Sequence, residues 1–299
     1  MHPVAKVAAG VTLAGAATLA YSAGYEVRAY RLRRVEIAVL PPGARPLRVL
    51  HISDLHFTPR QRSKVAWLQA LATLQPDLVV NTGDNLSHVD AVPVVMESLG
   101  PLLDFPGVFV FGSNDYSGPI LRNPLRYLFE RDRPGGFERD IAVPLPTEDL
   151  RRGLRDAGWL DLNNAAGWLT VDDRQVQFVG VDDPHVARDD YRSVGHPPDP
   201  GADAAIALLH APYRGVLTAM AADGWPLLLA GHTHGGQVCV PGYGALVTNC
   251  DLDTARVKGL TRFDGSYLHV SAGLGTSRFA PVRFACYPEA SLLTLVPTG

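Results

Sequence analysis

The chain has 299 residues, a formal charge of −3, and 46% hydrophobic against 19% charged residues. That composition excludes disorder throughout, and the near-neutral balance excludes a broad electrostatic footprint for nucleic acid. Cys239, Cys250 and Cys286 lie in no Cys-x-x-Cys pair, so they form neither a zinc knuckle nor a disulfide framework. They read as small core residues, with a Cys239–Cys250 bridge open only if the domain is exported.

Residues 7–25, VAAGVTLAGAATLAYSAGY, carry no charge and are just long enough to span a hydrocarbon core as a helix. A cleaved signal, an uncleaved anchor and a packed small-residue helix compete here. No strong Ala-x-Ala cleavage site precedes the charged stretch, which favours the anchor. The predicted organisation is a membrane anchor over 1–34, a connector over 35–46 and a main domain over 47–299. The protein is then membrane-associated through residues 7–25. Arg28, Arg31, Arg33 and Arg34 lean toward a cytoplasmic domain, whereas Lys6 before the apolar run argues for export. The face of the membrane stays open.

The segment VEIAVLPPGARP (35–46) reads as an edge strand and a connector. Short apolar runs follow at 47–52, 77–82, 108–112, 176–181, 205–210, 226–231, 267–273 and 291–296. Each is bounded by turn residues and too short for a lone helix, so each is predicted to be a buried strand. Residues 63–74, 94–103 and 211–222 carry helical spacing. Strands alternating with helices imply an α/β sheet. The stretch 117–150, rich in Arg, Pro, Asp and Glu, interrupts this rhythm as a cap-like insertion. Within it, Leu121, Leu125, Leu128 and Phe129 have helical spacing, with Arg122, Arg126, Arg131 and Arg133 among them. This is either a cap over an anionic or lipidic substrate or a solvated surface helix.

Five strand ends carry chemistry. The first runs into Asp54 and His56, the second into Gly83-Asp84, the third into Gly112-Ser113-Asn114-Asp115. A later one ends in His210, and the next runs into Gly231-His232-Thr233-His234. Carboxyl ends of strands in an open α/β sheet converge on one crevice. Asp54 and His56 are two apart, as are His232 and His234, so an extended chain points each pair the same way. Imidazole with carboxylate suits Mn, Fe or Zn rather than Ca or Mg alone. Taken singly, an Asp-x-His, a Gly-Asp turn or a lone His is commonly structural. The ordered set is what is specific.

This order resembles the calcineurin-like metallophosphoesterases over most of the chain, from about Leu47 onward. The string Gly231-His232-Thr233-His234-Gly235-Gly236-Gln237 and the later SAGLGTSRFAPVRF run (271–284) resemble a branch of small, membrane-associated bacterial phosphoesterases. The resemblance implies a four-layer αββα sandwich of two mixed sheets and a site for two divalent metal ions. It implies Asp54, His56 and His234 around one ion, an Asn with His210 and His232 around the other, and Asp84 between them. Two such ions about 3.5–4 Å apart generate a hydroxide and clamp an in-line displacement at phosphorus.

One motif departs from the pattern. The family carries Gly-Asn-His-Asp/Glu, whereas Ser113 stands here for the Asn and Asn114 for the His. Either Asn114 rotates in as the ligand, the preferred reading, or Ser113 or water completes the second ion. The usual leaving-group acid is absent, and His185 is a candidate replacement, against its being an exposed loop residue. His51 reads as buried and structural. The function expected is hydrolysis of a phosphodiester, phosphomonoester or lipid-linked pyrophosphate, with no nucleic acid partner. The alternative is a catalytically impaired module that binds metal or a phosphorylated ligand.

Overall fold

A computed structural model describes residues 3–119 and 143–299. In chain order, the strands of the first half are β1 (Arg31–Leu40), β2 (Leu47–Ile52), β3 (Leu78–Asn81), β4 (Gly107–Phe109), β5 (Leu160–Asp161), β6 (Ala165–Val171) and β7 (Arg174–Gly180). Those of the second half are β8 (Ala204–Leu208), β9 (Leu227–Ala230), β10 (Cys239–Val240), β11 (Gly244–Ala245), β12 (Gly259–Phe263), β13 (Ser266–Val270) and β14 (Glu289–Pro297). The helices are α1 (Pro3–Ala20), α2 (Arg62–Ala70), α3 (Val92–Leu99), α4 (Ser113–Tyr116), α5 (Thr147–Asp156), α6 (Tyr191–Val194) and α7 (Arg214–Ala222).

Two mixed six-stranded sheets form, in the orders β1-β14-β2-β3-β4-β5 and β12-β13-β9-β8-β7-β6. β2 through β5 run parallel, as do β7, β8, β9 and β13. Both faces of each sheet are covered, which is why the central strands read as continuous apolar runs. Along β2 the faces alternate. Leu47 and Val49 turn inward to meet Phe178, Ile206 and Leu229 of the other sheet. Leu50 and Ile52 turn outward to Leu68 of α2, Val95 of α3 and Leu154 of α5. On the far side, Val216, Leu217 and Met220 of α7 cover the second sheet. The result is the four-layer αββα sandwich that the resemblance implies.

The N-terminal region differs from expectation. β1 opens at Arg31, inside the segment expected to be an anchor, and pairs with β14 over its whole length. Upstream of it, Glu26 is buried and accepts the N–H of Cys286 at 2.6 Å. Residues 26–40 thus belong to the domain rather than to a tether and connector. α1 stops at Ala20, followed by a π-helical turn over Tyr21–Tyr25. Its 18 residues rise about 27 Å, short of a hydrocarbon core, and Ala, Gly and Thr add little hydropathy. Among the described residues no helix is long and apolar enough to cross a membrane. The transmembrane span expected over 7–25 therefore finds no support in the described helices.

Of the insertion expected over 117–150, residues 120–142 lie outside the described residues, and with them the expected cap side chains. Its ends meet: Gly118 N donates to Val143 O at 2.7 Å. Residues 147–150 already belong to α5, which buries Leu150 and Leu154 in the core. The three cysteines are unbridged. Cys239 and Cys286 pack in a small cluster with Ala245, Val257 and Ala272.

Candidate metal centre

The strand ends converge as expected, but not through strand alternation. Asp54 (φ 51°), His56 (φ 44°), Asp84 (φ 57°), His232 (φ 71°) and His234 (φ 51°) all sit in the left-handed region. The chain therefore turns sharply after each strand, and these turns, not an extended segment, bring both members of each pair inward. Such backbone costs roughly 1–3 kcal/mol per residue and persists only where the surroundings enforce it. Glycines make the turns possible. A Cβ on Gly273 would lie 2.5 Å from Asp54 Cβ, and one on Gly275 2.6 Å from His56 Cβ.

One ligand atom each from Asp54, His56, Asp84 and His234 lies within 4.8 Å of the others. His56 Nε2 is 3.4 Å from Asp84 Oδ2 and 3.1 Å from His234 Nε2, which in turn is 3.5 Å from Asp54 Oδ1. On its other side, Asp84 Oδ2 lies 3.4 Å from His210 Nε2. The His210 and His232 rings are 5.2 Å apart at their centroids, edge to face. Asp84 is thus flanked on one side by a group able to hold a cation, with Asp54, His56 and His234, and on the other by His210 and His232.

Outer partners fix which ring nitrogen of each histidine faces inward. His56 Nδ1 meets Ser87 Oγ at 3.0 Å, His210 Nδ1 meets Thr82 O at 2.6 Å, and His234 Nδ1 meets Gly275 O at 3.3 Å. In all three the outward nitrogen is Nδ1, leaving Nε2 for the centre. His232 is reversed: its Nε2 meets Asn249 O at 3.0 Å, leaving Nδ1.

The donor set fits a divalent cation. Burial pushes His56 and His232 down to about 4 and His234 well below its ordinary value, so all three are neutral at neutral pH. Burial also raises Asp54 to about 6, helped by Asp84 nearby. Burial disfavours charge on His210 too, but Asp84 outweighs it and holds His210 well above the imidazole range. The same pairing holds Asp84 well below the carboxylate range against its own burial. His210 Nε2 is buried and has no hydrogen-bond partner among the described residues. Crowded buried carboxylates and neutral imidazoles are what a bound divalent cation relieves.

A family model for calcineurin-like phosphoesterases matches residues 47–236, which include every one of these side chains. The chain belongs to the calcineurin-like phosphoesterase family. It is a metal-dependent phosphoesterase. It is 28% identical over 299 residues to the phosphodiesterase YaeI of Escherichia coli, covering 95% of this chain and 97% of that one. It is 24% identical over 283 residues to the uncharacterised metallophosphoesterase YkuE of Bacillus subtilis, covering 89% of this chain and 84% of that one.

In this phosphoesterase the altered third motif has a definite geometry. Asn114 does reach Asp84: its backbone N donates to Oδ1 and its side-chain Nδ2 to Oδ2, each at 2.8 Å. The amide nitrogen faces the carboxylate, so a ligand role for Asn114 requires the amide to be turned over. His185 is buried rather than an exposed loop residue. Its ring centroid lies 4.4 Å from that of His232, and its Nδ1 meets Tyr213 Oη at 3.0 Å. It therefore borders the crevice. His51 is buried as expected, held between His269 Nδ1 at 3.0 Å and Thr82 Oγ1 at 2.9 Å.

Sequence reasoning missed the residues that hold the centre together. Arg283 is fully buried, and its guanidinium donates to the carbonyls of His234, Ala272, Gly273, Gly275 and Cys286. It ties the His234 turn to the glycine loop under Asp54 and His56. The available signal was an Arg inside an otherwise apolar run of the SAGLGTSRFAPVRF segment. Asn249, whose carbonyl meets His232 Nε2, gave no comparable signal.

Proposed function

We propose that this phosphoesterase hydrolyses a small-molecule phosphodiester at a two-ion centre. Asp54, His56 and His234 hold one ion, His210 and His232 the other, and Asp84 bridges them. The observation that supports this reading is Asp84 itself, with histidines on either side whose inward nitrogens are selected by outer partners. Bound ions supply charge neutralisation at the phosphoryl group and acidify water. The chain's part is to fix the ligands. Asn114 holds both oxygens of Asp84, Ser53 Oγ donates to Asp54 Oδ2 at 2.7 Å, and the Asp54 carboxylate accepts the N–H of His232. His185, beside His232, is proposed to protonate the leaving oxygen in place of the missing motif histidine. The diester preference follows the name of the relative YaeI.

The test is turnover of bis-p-nitrophenyl phosphate and p-nitrophenyl phosphate by the full chain, with Mn²⁺, Zn²⁺ or EDTA. Metal-dependent turnover that favours the diester is expected. Preference for the monoester would refute the substrate assignment, and equal turnover in EDTA would refute the metal centre. His185→Ala is expected to lower turnover of an alkyl diester by about 100-fold, the lower end of general acid catalysis. It should spare the p-nitrophenyl diester, whose leaving group needs no proton.

A further inference from the structure

We infer that Asp183 supplies an oxygen ligand to the second ion, in the place that Ser113 leaves without one; this rests on the two-ion reading above. β7 and β8 are parallel, with Gly180 paired to Leu208. Val181 N continues the ladder by donating to Leu208 O at 3.1 Å. Asp183 and His210 therefore leave neighbouring strand ends within one residue of the same level. Asp183 is fully buried. Its Oδ1 accepts the N–H of His185 at 2.9 Å. Its Oδ2 is buried with no hydrogen-bond partner among the described residues, as is His210 Nε2.

A buried carboxylate oxygen without a partner is costly, and native structures rarely leave one so. Asp183 also feels the charges of His210 and Asp84, the two groups on the second-ion side. His210 Nε2 has the Asp84 carboxylate 3.4 Å away, whereas Asp183 Oδ2 has no partner among the described residues, and a cation on the His210 side of the centre would give that oxygen one. The alternatives at the third motif are weaker. Asn114 presents its amide nitrogen to Asp84, and a Ser113 hydroxyl is a poor ligand for Mn, Fe or Zn. A carboxylate oxygen is an ordinary ligand for those ions. It makes the second position more anionic than a neutral amide would.

Manganese binding by the full chain, followed by electron paramagnetic resonance and calorimetry, tests this without reading activity. The wild-type chain should bind two Mn²⁺ and give the spin-coupled signal of a close pair. Asp183→Ala should keep the first ion and weaken the second by roughly 10–100-fold or more, so that the coupled signal disappears at equimolar metal. Asp183→Ser keeps an acceptor for His185 N–H and guards against a folding defect; it should lose the second ion in the same way. Ser113→Ala should retain both ions. Two ions bound with wild-type affinity by the Asp183 variants would overturn the inference. So would loss of the second ion in Ser113→Ala alone. If wild type and variants alike bind no Mn²⁺, the two-ion reading itself fails, a result distinct from either.

Discussion

Asp84 N donates to Asp115 Oδ2 at 2.8 Å, so the last residue of the third motif fixes the backbone of the acid at the middle of the site. The same carboxylate accepts Asn85 N at 2.8 Å, Gly112 N at 3.0 Å and Leu86 N at 3.3 Å. Burial and nearby Asp84 push Asp115 up to about 7, and these backbone N–H groups oppose them. Its role is to set the two loops after β3 and β4 in one rigid unit.

Asp115→Asn turns one acceptor oxygen into a donor that faces N–H groups. The expected loss is about 2–4 kcal/mol in unfolding free energy, from one or two buried charge-assisted bonds. Urea denaturation in metal-free buffer checks it. A loss under ~0.5 kcal/mol would mean that the loops hold themselves.

Asp84→Asn removes the one negative charge shared by both sides of the centre. Most bound metal and nearly all turnover should be lost. The metal-free variant should still fold, because the amide can keep the acceptor for Asn114 N–H. Elemental analysis of the purified protein with a diesterase assay decides it. Two ions per chain and full activity would refute the bridging role.

The N-terminus gives two truncations with different outcomes. Removing residues 1–20 deletes α1, whose residues 10–20 are exposed, and should leave stability within about 0.5 kcal/mol. Removing 1–34 also deletes buried Glu26, Tyr30 packed at a tilt against Trp67 with ring centroids 5.3 Å apart, and four residues of β1. It should cost roughly 3 kcal/mol or more. Equal stability of the two products, measured by thermal unfolding, would place the domain boundary after β1 begins.

Metal loading should release protons at neutral pH. His210 is held above its ordinary value and is therefore protonated in the metal-free state, yet its Nε2 must be bare to bind an ion. Asp54, raised to about 6, adds a further proton as the pH falls toward that value. His56 and His232, depressed to about 4, add none above pH 5. Affinity should thus rise with pH, with more protons released at pH 6 than at pH 8. Titration calorimetry in buffers of different ionisation enthalpy reads the number directly. Release of no proton at either pH would contradict the placement of His210 against Asp84.

The sequence made the central strands and the side chains gathered at their ends legible because both depend on local pattern. The run LRVLHI became β2 at its predicted bounds, since both its faces are covered and every residue but the half-buried Arg48 is buried. Asp54, His56, Asp84, His210, His232 and His234 were legible because strand ends in this class of sheet face one crevice. The two-residue spacing suggested an extended chain, and the left-handed turns replaced it because close packing on Gly273 and Gly275 enforces them. β6 and β12 escaped notice because their exposed faces interrupt the apolar run. β1 was read short because Arg31, Arg33 and Arg34 look like a membrane flank. Arg33 instead makes a two-bond pair with Glu289 of β14, a contact between positions 256 apart in sequence. Arg283, Asn249 and Asp183 act through backbone carbonyls, a single ring nitrogen and an orphaned oxygen, none of which leaves a mark in residue order.

The most direct measurement is anomalous diffraction from a crystal of the Mn²⁺-loaded chain. Two peaks about 3.5–4 Å apart are expected, one bounded by Asp54, His56 and His234, the other by His210 and His232, with Asp84 touching both. A single peak, or a pair in which Asp84 touches neither or only one, would contradict the two-ion centre.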